Sequence, residues 1–397
     1  MKITFNDASV LGFFLSHPCS VTERKAMTGK EFTRCILFGV KKHGVAVLGC
    51  NHDSSFERII PNNFFDANTV QEGCVAVLAD KLMSFIKTYG KQPVTFELVD
   101  NLLHVKSGRS RVRIETYPAE GYPQPTLNLV ESKNFSLNLD VLQEGLKLVR
   151  NCMPTNHSMA CLNGIRVQFN CGKLSFIATD CHRLSVYQRI VDVSSAPELA
   201  NLKFGFTIPV LAVNKLVSLT SESNEGTISV SSFAFSYRVS SLVFQSKLID
   251  DSRYPEIEKM IPKEHAGHFC FEKRELTNLL ERMRIAVGST NQSSGKVPRA
   301  EFTFNNSGLV NVIGGQSNHP DAEDEIVPVE FVYSSPEKVS SAMNYFLLMN
   351  SISGIQDDKV RITIAPIQNQ GVIANYFIIQ PFAQKPYVHF FMNLPVR

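Results

Sequence analysis

The chain lacks any run of the roughly 18 consecutive apolar residues that a membrane-spanning helix needs. Its first residues, Met1-Lys2-Ile3-Thr4-Phe5-Asn6-Asp7, hold no basic segment leading into a long apolar one. Neither a span nor a secretory leader is expected, which points to a cytoplasmic protein with no membrane partner. The nine cysteines form no C-x-x-C pair and are odd in number, which speaks against a disulfide framework and an ordinary zinc site. They read as reduced, mostly buried small hydrophobes. No P-loop and no G-x-G-x-x-G run occurs, so nucleotide hydrolysis and dinucleotide chemistry lack support. Cys50, Asn51, His52 and Asp53 have no second ligand cluster at a recognisable spacing, and no metal or other cofactor is expected. An excess of one charge sign is missing too. A formal net charge of +3 over 397 residues does not argue for nucleic acid, and only the placement of the charges can.

What is present is a repeat. Gly44-Val45-Ala46-Val47-Leu48-Gly49-Cys50-Asn51-His52-Asp53 leads to Phe56-Glu57-Arg58-Ile59. Gly172-Lys173-Leu174-Ser175-Phe176-Ile177 runs into Ala178-Thr179-Asp180-Cys181-His182-Arg183-Leu184. Gly308-Leu309-Val310-Asn311-Val312-Ile313-Gly314-Gly315-Gln316 leads to Glu323-Asp324-Glu325-Ile326. The leading glycines stand 128 and 136 residues apart, a domain-sized period. Aromatic-proline endings at Tyr117-Pro118 to Tyr122-Pro123 and at Tyr254-Pro255 mark the linkers. The expected domains are residues 1–128, 129–262 and 263–397. Glycine and proline are spread through the chain rather than clustered, so no long disordered segment is expected.

Each unit reads as strands with two helices. In the first, Asn6 or Asp7 caps a helix that Pro18 must end near Leu15. A second helix over Val77–Tyr89 carries Leu78, Leu82, Phe85 and Tyr89 on one stripe. A meander follows over Val94–Val99, Leu102–Lys106 and Arg109–Thr116, in which Arg111, Arg113 and Glu115 alternate with Val112 and Ile114. The second unit repeats the plan with a helix over Leu139–Met153, a second helix opened by Pro209, and strands at Thr227–Val230, Phe233–Val239 and Leu242–Leu248. The third begins with a helix over Lys273–Val287 striped by Leu276, Leu280, Met283 and Val287. Ser335-Pro336-Glu337 signals another helix running to about Met349, ahead of strands at Val360–Ile364 and Ile373–Gln380.

The faces of these helices away from the stripes carry cations: Lys87, Lys147, Arg150, Lys215, Arg274 and Arg282, with Arg24 placed by position alone. A lone Lys on an exposed face is ordinarily just solvated. Recurrence in all three units shifts the balance, because repeats joined edge to edge set such helices on one surface. A basic surface without sequence-reading devices suits a phosphate backbone, bound without sequence specificity.

Several blocks together resemble the bacterial β sliding clamp family, the processivity subunit of DNA polymerase III. They are Leu162-Asn163-Gly164, Thr179-Asp180-x-His182-Arg183-Leu184, Lys247-Leu248-Ile249-Asp250, Arg253-Tyr254-Pro255, Met260-Ile261-Pro262 and Ser107-Gly108-Arg109-Ser110-Arg111. The likeness spans nearly the whole chain, and the second unit is its most specific part. The resemblance implies an α+β clamp fold: three repeated domains, each with two helices packed on antiparallel sheets, and a head-to-tail homodimer closed into a ring around duplex DNA. It implies a groove for partner peptides at Leu162, Thr179, His182, Arg183, Leu184, Pro255, Lys259, Met260, Leu394, Pro395, Val396 and Arg397. Aliphatic groups there would bury a partner's anchors while His182 and Arg183 hold polar atoms. It implies as partners the polymerase III alpha subunit, the clamp loader and other proteins carrying a clamp-binding motif. The subunit contact would set Arg109 and Arg111 on a basic edge against Ala286, Val287, Asp321, Glu323, Asp324 and Glu325 on an acidic one, which selects head-to-tail pairing. Two positions depart from the family's pattern. Cys181 stands where glycine is usual, and Arg397 where a final leucine is customary. These departures suit a divergent or mobile-element-encoded member.

Two rivals come from other classes. An enzyme with Cys181 as nucleophile beside His182 and Asp180 is disfavoured, because adjacent side chains on an extended segment point to opposite faces. A monomeric peptide-binding scaffold of the same fold, one that never encircles DNA, predicts the same groove without the dimer. The clamp reading makes the chain a processivity factor with no catalysis of its own.

Overall fold

The computed structural model describes residues 1–24, 31–123, 132–191, 203–257, 265, 267–291, 299–316, 319–333, 339–369, 372–383 and 387–392. Six α-helices and twenty-five strands lie among them. By contacts the chain divides into two units, residues 1–143 with 211–249, and residues 144–210 with 250–397. The fold is of the α+β class, with antiparallel ladders throughout the described sheets. Among the described residues no helix is long and apolar enough to cross a membrane.

The first unit is built on a twelve-stranded sheet. Its order is Lys2–Phe5, Val94–Val99, Leu102–Ser107, Ser110–Tyr117, Gly73–Leu78, Cys35–Lys41, Gly44–Cys50, Ser54–Pro61, Leu242–Lys247, Ala234–Val239, Gly226–Val230 and Lys133–Ser136. Alternation of apolar and polar residues along these strands supplies one buried face, where Phe5 meets Phe38 and Phe96 edge to face at 6.0 and 5.5 Å and Phe38 lies tilted against Phe96 at 5.5 Å. Strand Ser54–Pro61, from early in the chain, pairs with Leu242–Lys247 from far along it, and Phe56 faces Phe244 with ring centroids 4.5 Å apart.

Two helices lie on this sheet, and both differ from the sequence expectation. The first, α1, runs from Ala8 to Val21, with Asp7 as its cap: Oδ1 accepts from the Ser9 amide at 2.7 Å and from Val10. It does not stop near Leu15 but continues through Pro18. The proline removes one helical donor, yet Pro18 and Val21 are buried. The neighbouring strand accepts the turn through Gly49, where a Cβ would sit 1.9 Å from the Pro18 carbonyl oxygen. Burial and a glycine in the partner strand thus outweigh the breaker. The second helix, α2, spans Ala79–Tyr89 and ends at Gly90 in the left-handed region, φ 62°. Val77 and Leu78 stay in the preceding strand, so the buried line is Ala79, Leu82 and Ile86 rather than the expected stripe.

The boundary between the units falls within α3, Leu139–Val149, and at the start of α4, Val210–Val217. The second unit carries a nine-stranded sheet in the order Lys203–Pro209, Gly164–Asn170, Lys173–Thr179, Arg183–Ile190, Tyr387–Met392, Val372–Pro381, Lys359–Asn369, Gly267–Glu272 and Glu330–Tyr333. A separate four-stranded sheet runs His319–Ile326, Val310–Gln316, Arg299–Phe304 and Val339–Asn344. Helix α5, Lys273–Asn291, buries Leu276, Leu280, Met283 and Val287 as the stripe predicts. Helix α6 spans Tyr345–Ser353 and is capped by Asn344, whose Oδ1 accepts from the Phe346 amide at 3.1 Å. The Ser335-Pro336-Glu337 signal lies outside the described residues, and Val339–Asn344 is a strand paired with Arg299–Phe304. Cross-strand pairing therefore holds a stretch to which local start signals assigned a helix.

The glycine-led repeat appears as three hairpins: Gly44–Cys50 with Ser54–Pro61, Lys173–Thr179 with Arg183–Ile190, and Val310–Gln316 with His319–Ile326.

Candidate peptide groove and subunit edges

The turn of the middle hairpin is held by its own side chains. Asp180 Oδ1 accepts from the amides of His182 at 3.1 Å and Arg183 at 2.9 Å, and its Oδ2 accepts from Arg183 Nε at 2.9 Å. Thr179 Oγ1 donates to the Arg183 carbonyl at 2.8 Å and accepts from the Cys181 amide at 3.2 Å. This closure forces Cys181 to φ 67°, the left-handed region that glycine adopts without strain. The departure noted at this position is thus a side chain placed where the backbone favours none.

The same geometry disposes of the thiol as an activated nucleophile. Burial and the Asp180 charge push the Cys181 thiol above its ordinary range. Asp180, committed to two amides and a guanidinium, has no imidazole to orient.

Beside the turn, Ile177, Leu184, Val186, Ile257 and Ile378 form a buried apolar cluster with Tyr254 and Val388 packed on it. The segment Asp250–Ile257 is fixed there by several contacts. Arg166 pairs with Asp251 and its guanidinium lies 5.1 Å from the Tyr254 ring centre; the Tyr254 hydroxyl points at the Ile177 carbonyl, and Cys161 Sγ at the Arg253 carbonyl. Of the expected groove residues, Leu162, Thr179 and Leu184 are buried at 1%, 2% and 4% exposure, so in the single chain they offer little open apolar surface. Leu184 is used within the chain, packed with Ile257 of the segment that closes the middle repeat. Arg183 and Pro255 are half-buried and His182 is exposed. Lys259, Met260, Leu394, Pro395, Val396 and Arg397 lie outside the described residues. Sequence reasoning passed over Ile177, Val186, Ile257 and Ile378. The signal was there for Ile177, because Leu174, Phe176, Ile177 and Ala178 make that strand apolar on both faces rather than one.

The helix cations divide into two groups. Arg24, Lys87, Lys147, Arg150 and Arg274 are exposed. Arg282 is exposed too, but it and the half-buried Lys215 are each engaged by a neighbour. The Lys215 ammonium donates to the Ser20 carbonyl, and burial lowers its pKa. Arg282 binds Asp324, its Nε donating to Oδ2 at 2.6 Å. That ion pair joins a residue expected to face DNA to one expected at the subunit edge.

Two charged strand sides lie open among the described residues where the subunit edges were expected. Ser110–Tyr117 pairs along its length with Leu102–Ser107, whereas on its other side only Thr116 and Tyr117 find partners, among the described residues, in Gly73–Leu78. Arg109, Arg111 and Arg113 are exposed there. His319–Ile326 is the end strand of its sheet, pairing with Val310–Gln316, and Asp321, Glu323 and Glu325 are exposed on it. Val287 is corrected as an edge residue: it is 0% exposed and its Cγ2 packs against Gly314, as its place on the buried stripe of α5 dictates. Ala286 beside it is half-buried.

Comparison with solved structures defines the class of fold. The crystal structure of the DNA polymerase III subunit beta from Pseudomonas aeruginosa superposes with a TM-score of 0.85 at 20% identity, covering 99% of this chain and 100% of that one. The sliding clamp of Bacillus subtilis gives 0.86 at 15% identity, with full coverage of both chains at 100%. The family follows from sequence. The model for the DNA polymerase III beta subunit, N-terminal domain, matches residues 20–128, and that for its central domain matches residues 136–256, so the chain belongs to the DNA polymerase III beta subunit family. The beta sliding clamp of Haemophilus influenzae is 24% identical over 317 residues, 78% of this chain and 80% of that protein.

Proposed function

We propose that the chain is a sliding clamp: a head-to-tail homodimer that closes around duplex DNA and tethers a DNA polymerase and other partners, with no catalysis of its own. What carries this is the pattern of joined and unjoined strands. In each repeat the second strand of the glycine-led hairpin is the joining strand. Ser54–Pro61 pairs with the last meander strand of the second repeat, Leu242–Lys247, and Arg183–Ile190 pairs with the last strand of the third, Tyr387–Met392. The third joining strand, His319–Ile326, has nothing on its outer side among the described residues, and neither does most of the corresponding last strand of the first repeat, Ser110–Tyr117. The same junction made between two copies would continue the series, and the acidic strand of one copy would meet the basic strand of the other.

A ring of this kind holds DNA by topology, so weak and salt-sensitive phosphate contacts are enough and allow sliding. Arg24, Lys87, Lys147, Arg150, Arg274 and Arg282 are the proposed phosphate contacts, Arg282 from an exposed ion pair with Asp324; Lys215 is left out because its half-buried ammonium is spent on the Ser20 carbonyl. Partner peptides are proposed to dock at the margin of the Ile177, Leu184, Val186 and Ile378 cluster, beside exposed His182. Light scattering tests the ring: a mass near twice 44.3 kDa is expected. Reversing Arg109 and Arg111 to Glu should give a monomer, and mixing it with a Glu323→Lys, Glu325→Lys partner should restore a dimer. A wild-type monomer contradicts the proposal.

A further inference from the structure

One side-chain cluster belongs to neither the groove nor the edges. His268 and Cys270, two apart on Gly267–Glu272, share the face of that strand opposite Phe269 and Phe271. Glu330 stands directly across from Cys270 in the antiparallel register of Glu330–Tyr333, the end strand of the nine-stranded sheet. His268 Nε2 lies 3.8 Å from Glu330 Oε1. An imidazole nitrogen, the Cys270 sulfur and a Glu330 carboxylate oxygen all fall within 4.8 Å of one another. Cys270 is buried, His268 half-buried and Glu330 exposed, so the cluster is dry at its sulfur end and open to solvent at its carboxylate end.

We propose that His268, Cys270 and Glu330 form a three-ligand site for a zinc-class divalent ion, which ties the end strand Glu330–Tyr333 to its sheet. Zinc holds nitrogen, oxygen and sulfur ligands at about 2.0–2.3 Å in a tetrahedron, which sets neighbouring ligand atoms roughly 3.3–3.7 Å apart. The observed spacing needs to close by about one ångström, a movement within reach of the rotatable His268 and Glu330 side chains, neither of which is buried. A thiolate with an imidazole selects zinc or cobalt over magnesium or calcium, which take oxygen ligands. Three protein ligands leave the fourth position, on the Glu330 side, for water.

Two cations bear on the site. Arg361 stands opposite Cys270 on the other flanking strand, and its guanidinium lies 5.6 Å from the Phe382 ring centre. It would act as an outer donor that orients the thiolate, and its charge moderates the affinity for a dication. Lys359 is held by Glu272 at 3.6 Å. No motif signals this site, because His-x-Cys is too short a spacing to stand out and the third ligand lies 60 residues beyond Cys270.

The test is a titration of the reduced, metal-stripped full-length chain with Co2+, followed by displacement with Zn2+. The expected result is one equivalent of Co2+ with tetrahedral visible absorption and a sulfur-to-cobalt charge-transfer band. Cys270→Ser should abolish that band. His268→Ala and Glu330→Gln, at accessible positions, should each weaken binding by more than the roughly tenfold that loss of an outer-shell partner costs. Zn2+ should raise the Tm of the wild type and not that of His268→Ala. An octahedral spectrum, a charge-transfer band that survives Cys270→Ser, or equal Zn2+ responses in wild type and His268→Ala would overturn the site. Should Cys270→Ser fail to fold, the His268 and Glu330 variants decide the question, and ring formation has no bearing on the outcome.

Discussion

Among the described residues two of the joining strands are sealed and one is open, and their compositions differ accordingly. Ser54–Pro61 meets its partner through Phe56 and Phe244, with Lys247 and Asp53 paired at 3.1 Å at the end of the joint. Arg183–Ile190 meets its partner beside the apolar cluster of Leu184, Val186 and Ile378. His319–Ile326 instead reads His-Pro-Asp-Ala-Glu-Asp-Glu-Ile, and the open strand Ser110–Tyr117 carries Arg111 and Arg113. A permanent junction within one chain is made of buried apolar side chains. An edge exposed until another copy arrives carries charge, which guards it against indiscriminate strand pairing and lets sign choose the partner.

Breaking a sealed joint should have the largest effect. Phe244→Ala removes a fully buried ring from the first unit and should cost about 3–5 kcal/mol of stability in denaturant unfolding, without altering the charge of either open edge. Breaking the open junction should act on association instead. The Arg109→Glu, Arg111→Glu variant should weaken the dimer by about 3 kcal/mol, read by sedimentation, while its Tm at concentrations where both proteins are monomeric stays near wild type.

The pH dependence of the first unit sharpens the comparison from another side. His17 is buried next to Arg58, which is itself 1% exposed and donates to the imidazole at 3.2 Å. Burial and the Arg58 charge hold the His17 pKa down from 6.5 to about 4. The folded state therefore resists a proton that the unfolded chain accepts. The stability from this group is complete above about pH 6.5 and is lost as pH falls toward about 4, amounting to roughly 2 kcal/mol by about pH 5. His17→Gln should flatten the fall of Tm between those pH values while leaving the acidic and basic edges untouched. The smallest effect belongs to the middle turn. Cys181→Gly relieves the positive φ and should raise stability by about 1 kcal/mol, measurable as a small rise in Tm.

Much of this was legible in the chain. The three glycine-led frames gave the hairpins, the stripe of Leu276, Leu280, Met283 and Val287 gave α5, and the alternation of Arg111 and Arg113 with Val112 and Ile114 gave a strand with one charged face. What escaped depended on partners distant in sequence. Pro18 reads as a stop until Gly49 is seen to receive it. Lys215 reads as a free cation until Ser20 appears beside it, and Arg282 until Asp324 does. Leu162 and Leu184 read as a surface for ligands, and the chain covers them itself. Local signals report propensity, whereas burial and ion pairing are settled by strands and loops brought in from elsewhere.

The central claim is a topological hold on DNA. The most direct measurement places the protein, with a clamp loader and ATP, on nicked circular DNA and follows its retention before and after the circle is cut. Closure around the duplex predicts that the protein stays on circles through a high-salt wash and is lost from the linear ends. Equal retention on circular and linear DNA, or none on either, would contradict it.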